Sequence, residues 1–522
     1  MFPRPTLRKR DEKNLSAEPA DLTISSKLHF LAALACLLFV WYFGTRNLTT
    51  VPLANHDELR TLSHIFGRSV DTPLPLQETI TNVTTNSQQH GPLYFILLNA
   101  WSRVAGSDLF ILRLLSTYFA LLSLAAIYRL AGISRRQALA ALFVVSLNAL
   151  FLFYSRELRM YTMLPLLVAW NLWCYWRLLV TAARVSRRVW LSLVLSCGLI
   201  LYLHYFGIFT LAALAIYHLL FARKNRRWFQ IALALAGGGL LFLPWLPIVL
   251  KGLEGFSNKS FVGMNAIESI ASLGHVYSND LWLLPIVAMI TVAWYRKRLD
   301  KAQRFLLMLA FLAIAVLLLA NEIKPILIAS RLRYMLLLAP LIGSALAIAW
   351  SFVPGLAPIK VLLAGIWILS LFTYSQNPDS YIATKRKSLE SLHAPPFYSL
   401  VNSPNFEVQP ADLVLSLHPS RKITWITGDY YQKIIQPANL VHIYYDGGGR
   451  LTIQTTKQPI SSLDDFVSRY AAFLLLYDPQ DTNPLSMGDI FGWIRNYYRS
   501  CGKHLDETDA VVERFVRDSD PC

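Results

Sequence analysis

Two adjacent carboxylates, Asp57 and Glu58, are the first residues in the chain whose types and positions could support chemistry. They stand in the string NHDELRTL, which follows the first long apolar run. Ionisable side chains at the edge of a membrane-spanning region commonly mark a functional site. A carboxylate that is held against a hydroxyl group can act as a general base. Asp57 and Glu58 are therefore candidates for catalysis.

More polar residues occur at the ends of later apolar runs, in the strings QQHGPLYFILLNAW, YSRELRMYTMLPL, LHYFGIF and SRLRYMLLLAP. Arginine binds phosphate through a planar fork of N–H groups, so the arginines in these strings could hold a phosphate. We expect the strings to lie on one side of a bilayer. They would then bring together His90, Arg156, Glu157, Arg159, Tyr161, His204, Tyr205, Arg331, Arg333 and Tyr334.

The composition indicates a polytopic α-helical membrane protein. Of the 522 residues, 54% are apolar, and the mean hydropathy is +0.40. These values are too high for a soluble protein of this size. The apolar runs predict about eleven spans, because a run of about 17–25 residues can cross a bilayer as a helix. The predicted spans are residues 28–44, 109–131, 138–154, 160–178, 189–204, 207–222, 229–250, 281–295, 304–320, 333–352 and 359–375.

The distribution of lysine and arginine predicts the orientation of these spans. Basic residues are concentrated in the tail 1–27 and in loops near residues 135–136, 184–188, 223–227 and 296–304. By the positive-inside rule, these segments are cytoplasmic. The first span is preceded by this basic, polar tail and is followed by no small-residue cleavage site, so we expect no cleavable signal peptide. The net charge of +17 is then a topology signal, and no nucleic-acid-binding motif is present.

One apolar segment, residues 92–106, is too short for a regular span. We interpret it as a helix lying in the outer membrane interface, with Tyr94 and Trp101 as aromatic anchors. The first outer loop then runs from residue 45 to residue 108 and carries both carboxylates together with His90.

The character of the chain changes after residue 375. Residues 376–522 begin with a polar linker and continue with alternating strand-like and helix-like strings, which predict an α/β domain. Eleven crossings from a cytoplasmic N-terminus would place this domain outside the cytoplasm. An oxidising compartment would allow Cys501 and Cys522 to form a disulfide. The glycines at 447–449 do not fit a dinucleotide fingerprint and favour a plain turn.

Taken in order, the motifs resemble the GT-C superfamily of membrane glycosyltransferases, and in particular the bacterial relatives of protein O-mannosyltransferases and aminoarabinose transferases. The resemblance covers residues 28–375. It implies transfer of a sugar from a polyprenyl-phosphate donor to a lipid, glycan or protein acceptor at the outer face of a bacterial inner membrane. The aminoarabinose transferases have a lysine before the proline where this chain has His90-Gly91-Pro92, so the donor sugar is left open.

With this resemblance, each candidate residue receives an expected role. Asp57 is the general base of an inverting direct displacement, which needs one carboxylate, whereas a retaining reaction normally needs a second as nucleophile. Glu58 orients the acceptor or holds a divalent cation, whose other ligands are unknown. The donor phosphate is bound by Arg113, Arg156, Arg159, Tyr161, Arg331, Arg333 and Tyr334. Substrate-contacting or orienting roles fall to His90, Glu157, His204 and Tyr205.

Simpler interpretations exist for the same residues. Asp57 and Glu58 could be the acidic first turn of a surface helix, which the helix dipole favours. Glu157 could form a structural ion pair with a neighbouring arginine. Arg331 and Arg333 could extend into the lipid headgroups, and the histidines could be ordinary interface residues.

Two other functions compete with sugar transfer. A transporter or lipid-linked sugar flippase would place its charged residues near the membrane midplane, often on broken helices in repeated halves. Here the charges cluster at one face and no internal repeat is visible. A polymer ligase or a phosphoethanolamine transferase is the second rival, and the latter would need a set of metal ligands in its soluble domain that the sequence does not show.

Overall fold

The computed structural model describes most of the helical region and the strands of the C-terminal region. The described residues are 19–46, 48, 56–66, 72–133, 137–181, 185–257, 263–353, 357–383, 413–417, 439–445, 451–455, 463–477, 492, 494–505 and 511–521.

Helices dominate the chain up to residue 383. The helices among the described residues are α1 (Pro19–Thr45), α2 (His56–Phe66), α3 (Leu76–Asn86), α4 (Leu93–Ala105), α5 (Leu109–Ala131), α6 (Ala138–Ser146), α7 (Ala149–Tyr154), α8 (Met163–Val180), α9 (Arg187–Leu203), α10 (Gly207–Phe221), α11 (Arg226–Leu240), α12 (Leu246–Ser257), α13 (Ala266–Ser278), α14 (Leu283–Trp294), α15 (Lys301–Ile323), α16 (Ala339–Phe352) and α17 (Ala357–Gln376). Tighter 3-10 turns occupy Met160–Thr162, Leu243–Trp245, Arg296–Arg298 and Ala329–Leu338.

The helical region is that of an integral membrane protein. Within the described part of the chain, 7 helical stretches are long and apolar enough to cross a bilayer, or up to 8 if a bent pair counts as one span. These stretches are Lys27–Thr45, Leu109–Ala131, Met160–Val180, Arg226–Gly252, Lys301–Ile323, Arg331–Phe352 and Pro358–Ala383, and the bent pair is α13 with α14.

Each predicted span contains a helix, but the count of eleven is not confirmed, because several helices are short or broken. The predicted span 138–154 is divided into α6 and α7 at Asn148, whose side chain caps α7 by accepting a bond from the Phe151 N–H at 3.1 Å. Helices α9 and α10 have 17 and 15 residues, and α13 and α14 meet at 97°. Polar residues within apolar runs explain these breaks, since a cap satisfies backbone groups that an interrupted helix exposes.

The buried core of the helical region lies where α5, α6, α8 and α9 pack together. Leu124, Ile127, Leu172 and Tyr175 belong to its largest apolar cluster. Helix α4 packs on α5 and is not a candidate span, as predicted. The prediction that Tyr94 anchors α4 in the interface is wrong, since Tyr94 is fully buried and its hydroxyl bonds to Ser116 Oγ at 3.0 Å.

The described strands of the C-terminal region form one mixed sheet. The strands are β1 (Leu413–Leu417), β2 (Asn439–Tyr445), β3 (Leu451–Thr455), β4 (Ala472–Tyr477), β5 (Tyr498–Leu505) and β6 (Val511–Arg517), with α18 (Leu463–Arg469) before β4. Their order is β3-β2-β1-β4-β6-β5. Strand β1 pairs in parallel with β2 and β4, and the other described pairs are antiparallel. The turn predicted at 447–449 lies outside the described residues.

Candidate active site

Helix α2 positions the two carboxylates. Asp57 and Glu58 both lie in its first turn, as the helix-dipole interpretation requires. Helix α2 buries Leu62, Ile65 and Phe66 together with Glu58, and it packs on α3 and α4. Adjacent residues on a helix point about 100° apart, since a turn has about 3.6 residues. The two carboxylates therefore meet different partners.

Glu58 lies in a buried ion pair with Arg113 of α5. Arg113 Nη2 lies 2.7 Å from Glu58 Oε2, and Arg113 Nε donates to Glu58 Oε1 at 3.0 Å. Glu58 Oε1 also accepts the Leu158 N–H at 2.8 Å, and Arg113 Nη1 donates to the Leu48 carbonyl at 3.2 Å. This geometry ties α2 to α5 and to the loop before Arg159, so it favours a positioning role for both residues. Their predicted roles in acceptor and phosphate binding stay predictions.

Asp57 lies between two arginines from distant parts of the chain. Its Oδ1 is 3.1 Å from Arg159 Nη2, and its Oδ2 is 2.9 Å from Arg333 Nη2. Arg159 precedes the 3-10 turn Met160–Thr162, and Arg333 lies within Ala329–Leu338, which packs on that turn. Two guanidinium groups favour the ionised carboxylate. The structure thus brings together three of the residues predicted from separate motifs.

Several polar atoms in this cluster have no hydrogen-bond partner within the described part of the chain, although they are buried. They are Arg159 Nε and Nη1, Arg333 Nε, the Tyr161 hydroxyl and His204 Nε2. Leaving a buried donor unpaired costs about 1–3 kcal/mol, and more for a charged group. A concentration of such donors around one point is the arrangement expected of a site that binds an anion.

Aromatic rings line the same cluster. The guanidinium carbon of Arg333 lies 5.6 Å from the centre of the Tyr161 ring and 5.3 Å from that of Tyr334. The His204 ring is 4.4 Å from the Tyr334 ring. Rings at these positions hold the cationic side chain by cation–π attraction and reduce its freedom. The arginine fork is therefore held in place before any ligand binds.

The His90-Gly91-Pro92 segment packs directly on the end of α9. A Cβ atom at Gly91 would overlap the Tyr202 carbonyl group, so only glycine allows this approach. The Tyr205 hydroxyl lies 2.9 Å from the Gln88 carbonyl and 3.1 Å from the His90 carbonyl. Tyr205 thus orients the segment, and the His90 ring comes within 5.9 Å of the His204 ring.

The charge state of His90 follows from its surroundings. Burial lowers the pKa of His90 well below its ordinary value, and the nearby Arg159 lowers it further. His90 is therefore a neutral ring at physiological pH. Its predicted substrate-contacting role stays a prediction.

The remaining predicted residues have other contacts. The Arg156 guanidinium lies 5.8 Å from the centre of the Phe153 ring, and Arg331 Nη1 donates to the Ile326 carbonyl at 3.1 Å. Glu157 is buried. These contacts do not decide between phosphate binding and the simpler structural roles.

Sequence reasoning missed four residues near the site. Arg60 is half-buried and interacts electrostatically with Asp57 and Arg159, and its position one turn after Asp57 was the available signal. His64, two turns after Asp57, bonds through Nε2 to Ser87 Oγ at 2.7 Å. Tyr154 and Tyr381 share a hydroxyl–hydroxyl bond of 2.9 Å, which no local pattern could indicate.

One of the two roles expected of Glu58 was to hold a divalent cation, and the described ranges contain no cluster of ligands for one. Among those residues, no group of three or more His, Cys, Asp or Glu side chains could hold a metal ion. The Glu58 carboxylate instead pairs with the guanidinium group of Arg113.

Comparison with known proteins agrees with this architecture. The family model described as dolichyl-phosphate-mannose-protein mannosyltransferase matches residues 89–250. No curated protein sequence matches the chain. The resemblance to GT-C membrane glycosyltransferases that the motifs indicate is confirmed, and the fold is the GT-C fold.

Among solved structures, the chain is similar to ArnT from Cupriavidus metallidurans. In the apo state, ArnT has a TM-score of 0.58 and 11% identity, with 95% of this chain and 98% of ArnT covered. ArnT bound to undecaprenyl phosphate gives a TM-score of 0.53 with the same identity and coverage. At this identity, the likeness shows a shared fold.

Proposed function

We propose that the protein transfers a sugar from a polyprenyl-phosphate donor to a lipid, glycan or protein acceptor. The observation that carries this proposal is the position of Asp57 between Arg159 and Arg333. Arg159 Nε and Nη1 and Arg333 Nε are buried and have no hydrogen-bond partner within the described chain. The similarity to ArnT, a protein that has been solved with undecaprenyl phosphate, supports the choice of a phosphate as the anion.

The chemistry follows from the placement of charge. The acceptor oxygen forms a bond to the anomeric carbon while the bond from that carbon to the phosphate oxygen breaks. The donor phosphate is a diester with one negative charge, and it leaves as a monoester with more charge. Arg159 and Arg333 therefore meet charge that develops in the transition state, which is where fixed cations accelerate a reaction most.

Asp57 receives the acceptor proton in this proposal. Each of its oxygens pairs with one guanidinium group, and a carboxylate oxygen can accept more than one hydrogen bond. The two arginines make Asp57 a weak base. A weak base suffices because the acceptor hydroxyl becomes strongly acidic only as its bond to the sugar forms. A direct displacement with inversion needs only one such carboxylate.

The proposal also places the site and the C-terminal region outside the cytoplasm of a bacterial inner membrane. The basic loops support this orientation. In addition, Cys501 of β5 is disulfide-bonded, and disulfides persist in oxidising compartments. A cysteine replacing the exposed Ser468 in a background without reactive native thiols should be labelled from outside intact cells. A cysteine replacing Lys224, in a basic loop, should react only after permeabilisation, and the opposite pattern would reverse the orientation.

Mass spectrometry of the cell envelope tests the transfer itself. Glycans, lipids and proteins are compared among cells that lack the gene, cells that regain the wild type and cells that regain Asp57→Asn at equal abundance. We expect one sugar modification that only the wild type restores. If Asp57→Asn also restored the modification, Asp57 would not be the general base. Loss of lipid-linked sugar transport with no missing modification would favour the flippase.

A further inference from the structure

His204 differs from the other ionisable residues of the site in the way its two ring nitrogens are used. It follows α9 directly and is buried, with 2% of its surface exposed. Its Nδ1 accepts the Phe206 backbone N–H at 3.1 Å. A nitrogen that accepts a hydrogen bond carries no proton, so the ring is neutral and its proton lies on Nε2.

The proton on Nε2 has no acceptor among the residues that the structure describes. His204 is also fixed in direction, because its ring lies against Tyr334 at 4.4 Å and against Phe206 at 5.4 Å. A buried N–H group that is both oriented and unpaired is costly to keep in a folded protein. A ligand atom that accepts this hydrogen bond would remove the cost.

The charges around His204 indicate what that ligand atom is. The ionisable groups that face the ring are Arg333, Arg159 and Arg331, with the neutral His90 ring at 5.9 Å and Tyr334 in contact. Three cations exclude a positively charged ligand group and attract an anionic oxygen. They also oppose a proton on Nδ1, so His204 stays a neutral donor.

We propose that His204 is a phosphate-binding residue whose Nε2–H donates to an oxygen of the polyprenyl phosphate, beside the two arginines that hold Asp57. This rests on the proposed function and assigns an atom and a ligand to a residue whose role had been either substrate contact or orientation. A neutral donor adds a directed hydrogen bond without adding a charge. It therefore helps to fix the rotation of the phosphate, which two arginine forks leave adjustable.

Two substitutions of His204 distinguish the role of Nε2 from the role of Nδ1. In His204→Gln the side-chain amide reaches the position of Nε2 and can present an N–H group there. In His204→Asn the amide reaches only the position of Nδ1, so the donor to the ligand is lost. We expect His204→Asn to weaken the binding of undecaprenyl phosphate to the purified full-length protein by about 10-fold or more, because a hydrogen bond to a charged group has that value. His204→Gln should stay within about 3-fold of the wild type on the same basis.

The matched control is His218→Gln. His218 is a buried histidine whose Nδ1 bonds to the Tyr175 hydroxyl at 3.0 Å and whose Nε2 bonds to the Trp228 carbonyl at 3.1 Å. It should leave the affinity of the folded protein for undecaprenyl phosphate unchanged. Thermal unfolding of every variant in the same detergent verifies that folded protein is compared.

A pH series completes the test. If His204 acts as a neutral donor, the affinity of the wild type and that of His204→Gln change in parallel between pH 6 and 8. An affinity that rises toward pH 6 in the wild type alone would mean that His204 binds as a cation, and would overturn the proposal. Equal losses in the Gln and Asn variants would assign the effect to the packing of the ring, and equal retention would remove His204 from the phosphate site. A wild type that does not bind undecaprenyl phosphate would instead contradict the proposed function itself.

Discussion

Replacing Asp57 by asparagine separates the chemistry of the site from its affinity for the donor. The substitution keeps the size of the side chain and removes its charge. The asparagine cannot accept the acceptor proton, so turnover should fall by about 10²–10⁴-fold, the usual contribution of a general base.

The same substitution, Asp57→Asn, should raise the affinity for the phosphate. Asp57 neutralises Arg159 and Arg333 at 3.1 and 2.9 Å. A phosphate on the other edge of the same guanidinium groups would lie about 7 Å from the carboxylate. At an effective dielectric constant of about 20, their repulsion is about 2 kcal/mol for each negative charge on the phosphate. Removing the carboxylate should therefore tighten the binding of undecaprenyl phosphate, by roughly 30-fold for each of these charges.

Two assays measure these quantities for the same variant. Binding of undecaprenyl phosphate is titrated on the purified protein in detergent or nanodiscs, and turnover is followed in cells as restoration of the missing envelope modification. Weaker phosphate binding in Asp57→Asn would show that the carboxylate is needed to position the arginines. Full turnover would return Asp57 to the simpler role of an acidic residue in the first turn of α2.

Four further predictions concern the residues around Asp57. Glu58→Ala should lower the free energy of unfolding by about 3–5 kcal/mol because the buried Arg113 loses its carboxylate partner. Glu58→Leu combined with Arg113→Met should regain part of that loss, and additive effects of the two changes in thermal melts would argue against the pair. Arg333→Lys should weaken the binding of undecaprenyl phosphate because an ammonium lacks the planar fork. The control Arg298→Lys, which alters a residue stacked on Tyr295, should not weaken it. Equal affinities of the two variants for undecaprenyl phosphate would place the donor phosphate elsewhere. Gly91→Ala should lower activity and lower the free energy of unfolding by about 1–3 kcal/mol through overpacking against Tyr202. The control Gly237→Ala in α11, where a Cβ meets no atom within 4 Å, should be tolerated in the same assays. Burial lowers the pKa of His64 to about 3, with Arg159 adding to the effect, and the pKa of His90 is lowered also. Below about pH 6.5, the unfolded chain therefore binds more protons than the folded protein. The free energy of unfolding should then fall by up to about 1.4 kcal/mol per pH unit for each histidine as the pH is lowered. A melting temperature that is constant from pH 7.5 to 5 would contradict this last prediction.

The sequence predicted the membrane class and most of the residues around Asp57, because both depend on local patterns. Apolar runs mark spans wherever they occur, and Arg159, His204 and Arg333 each stand at the end of such a run. The likeness of their positions predicted that they lie together, and the structure brings Arg159 and Arg333 to Asp57.

The pairing within the site was beyond sequence reasoning. Asp57 and Glu58 are neighbours in the chain, but helix geometry turns them toward different partners. Only the packing of α2 against α4 and α5 decides that Glu58 meets Arg113. For the same reason, Tyr94 looked like an interfacial aromatic and is in fact buried against Ser116.

The lengths of the helices were the other property that local hydropathy could not give. A hydropathy run does not register a polar cap such as Asn148 within an apolar stretch. The run 138–154 therefore looked like one span, although it contains two short helices. Contacts from distant segments, such as the bond from Asn148 Nδ2 to the Val276 carbonyl at 2.8 Å, hold that break in place.

A cryo-electron microscopy structure of the full chain with undecaprenyl phosphate tests the central claim most directly. We expect the phosphate to lie within hydrogen-bond distance of Arg159 and Arg333, with Asp57 facing the position of the sugar. A phosphate bound at the basic loops near residues 223–227, or beside Arg113 with the Asp57 cluster unchanged, would contradict it.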